Sequence, residues 1–118
     1  MADSIPRKDE GIRFLVISKP QFPVPPEMAL GLFDAMVAWV TKYKGSGKIE
    51  QAWSYAGGGG GGGIANVESL EELDAFMAEY PFGPFSETKY IPLVDVVPSL
   101  QRFKQAMQAM MAGGGGGR

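Results

Sequence analysis

Glu50 is the carboxylate in this sequence best placed for acid/base work. In an extended reading of Lys48 to Ala56 it shares a face with Ala52 and Ser54, while Ile49, Gln51, Trp53 and Tyr55 occupy the other. A carboxylate among small neighbours, partly shut off from water, is the kind of group whose pKa rises toward neutrality. Tyr55 adds a hydroxyl that can orient or donate a proton. Alternation sends Glu50 and Tyr55 to opposite faces, so one site can use both only if a bulge near Ser54 re-aims one, or if Tyr55 comes from a partner subunit. The structural alternative for Glu50 is a cross-sheet salt bridge to Arg13 or Lys89.

What is missing narrows the chemistry further. The 118 residues include no His and no Cys, which removes the usual neutral-pH proton carrier, thiolate nucleophiles, disulfides and the commonest metal ligands. No metal and no cofactor is expected. Most of the 13 acidic residues fit solvated faces, as Glu71, Glu72, Asp74 and Glu79 do on the second helix, and Met107, Met110 and Met111 read as adaptable packing. Seven consecutive glycines, Gly57 to Gly63, satisfy a phosphate-loop pattern only trivially, because a strand follows them where such a loop needs a helix, and no Gly-Lys-Ser/Thr closes the run. They fit a hairpin turn running into the start of a strand. Lacking Cβ atoms, they would also let a ring or another backbone come close beside Trp53 and Tyr55.

The elements that must position these groups are legible from periodicity. Ile12 to Ser18 is β-branched and aromatic, and the prolines from Pro20 to Pro26 end it. Pro26 and Glu27 open a first helix, whose apolar stripe (Leu30, Phe33, Met36, Val37, Val40, Tyr43) faces the sheet up to the Gly45-Ser46-Gly47 stop. Lys48 to Ala56 is strand two and Ile64 to Val67 strand three. Ser69 and Glu72 form a capping box for a second helix, with a stripe of Leu70, Leu73, Phe76, Met77 and Tyr80 ended by Pro81. Phe82 and Phe85 stand on a stiff Pro-Phe-Gly-Pro-Phe turn that can pack in a core or interface or wall a pocket. Glu87 to Val96 is strand four. Pro98-Ser99 opens a third helix with a stripe from Leu100 to Met111, closed by Gly113. The predicted organisation is a mobile arm (1–10), one β-α-β-β-α-β domain (11–97), and a C-terminal helix with a glycine-rich tail (98–118).

This order, the Trp53-to-Gly57 end of strand two (Trp-x-x-Ala-Gly), the Val67-x-Ser69 lead into helix two and the Pro81 to Pro84 loop resemble the muconolactone isomerase-like family across roughly Ile12 to Leu93. The resemblance implies an α+β, ferredoxin-like subunit whose sheets pair face to face as a dimeric α+β barrel, sometimes in larger rings with exchanged C-terminal segments. It implies a cofactor-free proton shift on a small unsaturated lactone acid. Where that enzyme has an Arg after the Trp and a His-Tyr pair after Ala-Gly, this chain has Ser54 and Gly58-Gly59, so any such chemistry would fall to Glu50 and Tyr55, with Arg13, Trp53, Phe82, Phe85 and Tyr90 as substrate contacts.

Two classes of function follow. One is a cofactor-free isomerase or cyclase acting on a compact unsaturated molecule; the other is a non-catalytic oligomeric binding or scaffold protein. A net charge of −2 with both signs interspersed gives no basic stripe for nucleic acid and no polybasic patch for lipid. No apolar run approaches the roughly 20 residues a membrane span needs, and no leader is legible, so a cytoplasmic homo-oligomer with a small apolar or unsaturated ligand is expected. The stripe of the third helix is expected to dock at a subunit boundary.

Overall fold

The computed structural model describes residues 11–114; the arm assigned to Met1 to Glu10 and the last four residues of the tail lie outside the described residues. Within it, β1 (Ile12–Pro20), α1 (Pro26–Ser46), β2 (Ile49–Ser54), β3 (Gly61–Val67), α2 (Leu70–Ala78), β4 (Ser86–Leu93) and α3 (Val96–Ala109) follow in order, with a single 3₁₀ turn at Gly83–Phe85 and a π-type turn at Met110–Gly114. The strands form one sheet in the order β2-β3-β1-β4, every neighbouring pair antiparallel. This is the ferredoxin-like α+β arrangement, with an added C-terminal helix.

Local chemistry sets the ends of the helices. Pro26 occupies the first turn of α1, where an absent N–H costs nothing, and Gly47 closes the helix at φ 87° with its N–H bonded to the Lys44 carbonyl. The Ser69 hydroxyl accepts from the Glu72 N–H at 3.0 Å, and the Glu72 carboxylate accepts from the Glu68 N–H at 2.6 Å, so the capping pair satisfies two donors at the start of α2.

The core lies between the sheet and the inner sides of α1 and α2. Phe14, Ile49, Ala65 and Val67 from the strands meet Tyr43, Leu73 and Phe76 from the helices. Cross-strand partners share a face, so the pairing of Phe14 with Ala65, Val16 with Gly63 and Ser18 with Gly61 defines the helix-covered side. Arg13, Leu15 and Ile17 point to the other side, together with their partners Asn66, Ile64 and Gly62. No helix covers that second face among the described residues.

Three departures from the expected elements have physical causes. Strand β3 begins at Gly61, three residues before the first side chain that could signal it, because backbone pairing with β1 and β2 needs no Cβ. Strand β2 stops at Ser54, since the Tyr55 N–H turns back to the Gly60 carbonyl at 2.9 Å and closes the hairpin. On α1 the inward residues are Met36, Trp39, Val40 and Tyr43, while Leu30, Phe33 and Val37 lie on the flank, 79%, 58% and 67% exposed. The amphipathic α3 starts two residues before Pro98, and every residue of it except half-buried Ser99 is exposed.

Candidate functional site

A cavity of about 790 Å³ lies between the helix-covered face of the sheet and the two helices. Val16 and Ser18 of β1, Met36, Trp39 and Val40 of α1, Phe76 and Met77 of α2, and Tyr80 just after it form its body. Phe82 and Phe85 close one end, and the glycine hairpin from Gly58 to Gly63 borders the other. Its size falls within the range of small-molecule pockets, roughly 300 to 1,000 Å³.

The wall is built on rigid parts. Trp39 stacks on Phe76 at 4.8 Å between centroids with planes 16° apart, and it meets Tyr80 at 5.2 Å. Phe82 is held edge-on by Phe33 at 5.4 Å. The Phe85 carbonyl accepts two backbone N–H groups, Gln21 at 2.8 Å and Phe22 at 3.0 Å, which ties the proline-aromatic turn to the β1–α1 connection. The Trp39 indole Nε1 is buried and has no hydrogen-bond partner among the described residues.

A hydroxyl pair joins the Trp39 N–H as a buried polar feature of the wall, and Thr41, Ser54 and Ser86 also border the cavity. Ser18, 7% exposed, stands 2.8 Å from the Tyr80 hydroxyl. Ser18 is a polar residue at a core-facing position of an apolar strand, on the same side as Phe14 and Val16. That period-two mismatch was the available sequence signal for it, and Tyr80 already lay on the inward stripe of α2. Trp39 could have been found from its spacing, three residues after Met36 and four before Tyr43. No Asp, Glu, Lys or Arg lines the cavity among the described residues.

The glycine strand forms the sheet beside this cavity by close approach. A Cβ on Gly61 would stand 2.3 Å from the Trp53 carbonyl oxygen, and one on Gly63 would stand 2.5 Å from that of Gln51. The turn itself uses left-handed backbone, with φ 86° at Gly57 rising to 114° at Gly60.

The residues singled out from sequence divide between the two faces. Phe82 and Phe85 border the cavity, and so does β2 at Trp53, although pairing with Gly62 puts the Trp53 side chain on the bare-face side. Trp53 pairs with Gly62, and a Cβ there would stand 3.0 Å from Trp53 Nε1, so the indole lies over the glycine strand. Glu50 is elsewhere. The register slips between Ile49 and Gln51, and this bulge turns Glu50 toward the bare face. There its carboxylate accepts from Arg13 Nε at 3.0 Å and from Asn66 Nδ2 at 2.5 Å. Arg13 also stands 3.9 Å from Asp95, at the start of α3. Tyr55 sits at the hairpin turn, roughly 16 Å along the strand from Glu50 at about 3.3 Å per residue. Tyr90 pairs with Val16 on the helix-covered side, outside the cavity lining. Burial pushes its phenol above the ordinary value, and the nearby Asp74 carboxylate and Tyr80 add to the shift.

Nothing among the described residues groups three or more carboxylates into a metal-binding cluster, and no described helix is long and apolar enough to cross a membrane. The architecture and the cavity together define a small α+β domain with a half-open, largely apolar site and a bare sheet face. Among solved structures, the fold is that of muconolactone isomerase, whose crystal structure superposes with a TM-score of 0.63 at 22% identity, covering 72% of this chain and 91% of that one. A Mycobacterium tuberculosis leucine response regulatory protein, LrpA, gives a TM-score of 0.44 at 15% identity over 73% of this chain and 52% of its own, so this chain spans about half its length. No protein-family model matches the chain, and no curated protein does.

Proposed function

We propose that this chain is a small-molecule-binding protein built on the muconolactone isomerase-like fold, and that its ligand occupies the cavity between the sheet and the two helices. The observation that carries this reading is an aromatic-walled space of about 790 Å³ with the Ser18–Tyr80 hydroxyl pair and the unpartnered Trp39 N–H set into it. Binding is favoured over proton transfer because the lining holds no carboxylate or amine to act as a base. The bare face, with Leu15, Ile17, Ile64 and Ile91, supports self-association as a homodimer through facing sheets.

Calorimetric titration with 2-acetylnaphthalene, a compact aromatic ketone, tests the reading. One-to-one binding is expected, and Val40→Trp, which fills the cavity from α1, should abolish it while the far-ultraviolet circular dichroism stays unchanged. Binding that survives Val40→Trp, or no binding to the parent chain, would sink the proposal.

The isomerase reading rests on a different place. Glu50 and Arg13 form a part-buried pair, 25% and 32% exposed at the side chain, on the face where a second copy would pack. Catalysis there would need Tyr55 from that copy, and Glu50→Gln would stop turnover without changing ligand affinity in the helix-side cavity.

A further inference from the structure

We infer that the cavity selects a neutral molecule carrying a hydrogen-bond acceptor and rejects its carboxylate counterpart. The inference rests on the binding reading above and specifies the chemistry of the ligand. Between them, the Ser18 and Tyr80 hydroxyls carry two protons, and their mutual hydrogen bond uses one. Neither has another hydrogen-bond partner among the described residues. One donor therefore remains for a guest, such as a ketone, ester or lactone oxygen.

The position of that donor is set by the fold. Ser18 is buried on a central strand, and Tyr80 is held by its own N–H on the Met77 carbonyl at 3.0 Å, by the Gly83 N–H on its carbonyl at 3.0 Å, and by the Trp39 ring. A carboxylate fares worse in the same place. Its two oxygens would lose water and meet only neutral donors, such as the spare hydroxyl proton and the Trp39 N–H, with no Lys or Arg in the lining to compensate the charge. An entirely apolar guest would fill the space but leave the spare proton unpaired.

Three probes of nearly one shape separate these cases: 2-acetylnaphthalene, 2-naphthoate and 2-ethylnaphthalene. Each is titrated calorimetrically at pH 7 into the full chain, its Tyr80→Phe and Ser18→Ala variants, and the variant carrying both changes. The ketone should bind at least about ten-fold more tightly than naphthoate, in line with the cost of burying an uncompensated charge. Each single variant still leaves one hydroxyl proton for the guest, so the double variant, which removes both, should weaken the ketone about two- to ten-fold, the size of one net hydrogen bond, while leaving ethylnaphthalene within about two-fold. Tyr80→Phe and Ser18→Ala taken singly should each keep most of the ketone affinity, so a loss confined to the double variant identifies the shared donor. Naphthoate binding as tightly as the ketone would overturn the inference while leaving the binding reading intact. Equal losses for ketone and hydrocarbon would reduce Tyr80 and Ser18 to packing residues and overturn it as well. If neither neutral probe binds, the inference falls together with the binding reading.

Discussion

Replacing Gly61 by alanine is expected to destabilise the protein, although the same change in an ordinary strand interior would stabilise it by about 0.5 to 1 kcal/mol through the lost freedom of glycine in the unfolded chain. The sign turns on one distance. A methyl group on Gly61 would stand 2.3 Å from the Trp53 carbonyl oxygen and 3.1 Å from the Ser54 Cα, both backbone atoms of the paired strand. Ordinary contact begins near 3.4 Å, so β2 and β3 would have to part by about 1 Å where Ser54 pairs with Gly61. Forcing a group into packed surroundings costs about 1 to 3 kcal/mol. After subtracting the glycine benefit, a net loss of up to about 2.5 kcal/mol remains, roughly 1 kcal/mol at mid-range. Gly58→Ala provides the contrast: nothing lies within 4 Å of its added methyl, so only the left-handed backbone at φ 90° is strained, for about 1 to 2 kcal/mol with no change in strand pairing. Urea unfolding at fixed protomer concentration reads both as a fall in midpoint of roughly 1 M for a slope near 1 to 1.5 kcal/mol/M. Amide exchange separates them, because Gly61→Ala should expose the β2–β3 ladder and Gly58→Ala should not. A raised midpoint for Gly61→Ala would refute the close-approach argument.

Two further outcomes follow from interactions away from the cavity. The Tyr43 hydroxyl donates to Glu79 at 2.5 Å and, with help from the Lys42 and Lys48 charges, holds that carboxyl below its ordinary value of 4.5. A depressed folded pKa stabilises above the unfolded value and is lost as pH falls through the folded one, so Tyr43→Phe should lower the melting temperature at pH 7 and lose part of that effect by pH 3; an equal deficit at both would disprove the coupling. Deleting Pro98 onward removes the exposed Leu100, Phe103 and Met107 stripe and should lower the oligomer order seen by sedimentation; an unchanged mass distribution would mean that α3 does not dock between copies.

Much of the scaffold was legible because local signals there agree with the tertiary outcome. Ser69 and Glu72 mark the start of α2 by a contact that spans only three residues, and Pro26 and Gly47 mark α1 by backbone conformations that belong to those residue types. The site was less legible. Alternation along Lys48 to Ala56 put Glu50 with Ala52 and Ser54, whereas the bulge between Ile49 and Gln51 releases Glu50 to the opposite face, where Arg13 and Asn66 hold it. A bulge is decided by how two strands pair, and one strand's pattern carries no record of its partner. The helical stripe of α1 likewise included Leu30, Phe33 and Val37 correctly as apolar, but which side of a broad stripe is buried depends on how the helix rolls against the sheet.

Composition and local spacing by themselves determined the element order, the absence of imidazole and thiol chemistry, and the ends of the helices, since each depends on residues within one or two turns of one another. Only the tertiary structure decided that Ser18 and Tyr80, 62 residues apart, share a hydrogen bond inside an uncharged cavity, and that Glu50 lies on the other side of the sheet. The physical reason is that strand pairing fixes faces in whole-residue steps, so a one-residue slip in register moves a side chain from one environment to the other without altering the sequence around it.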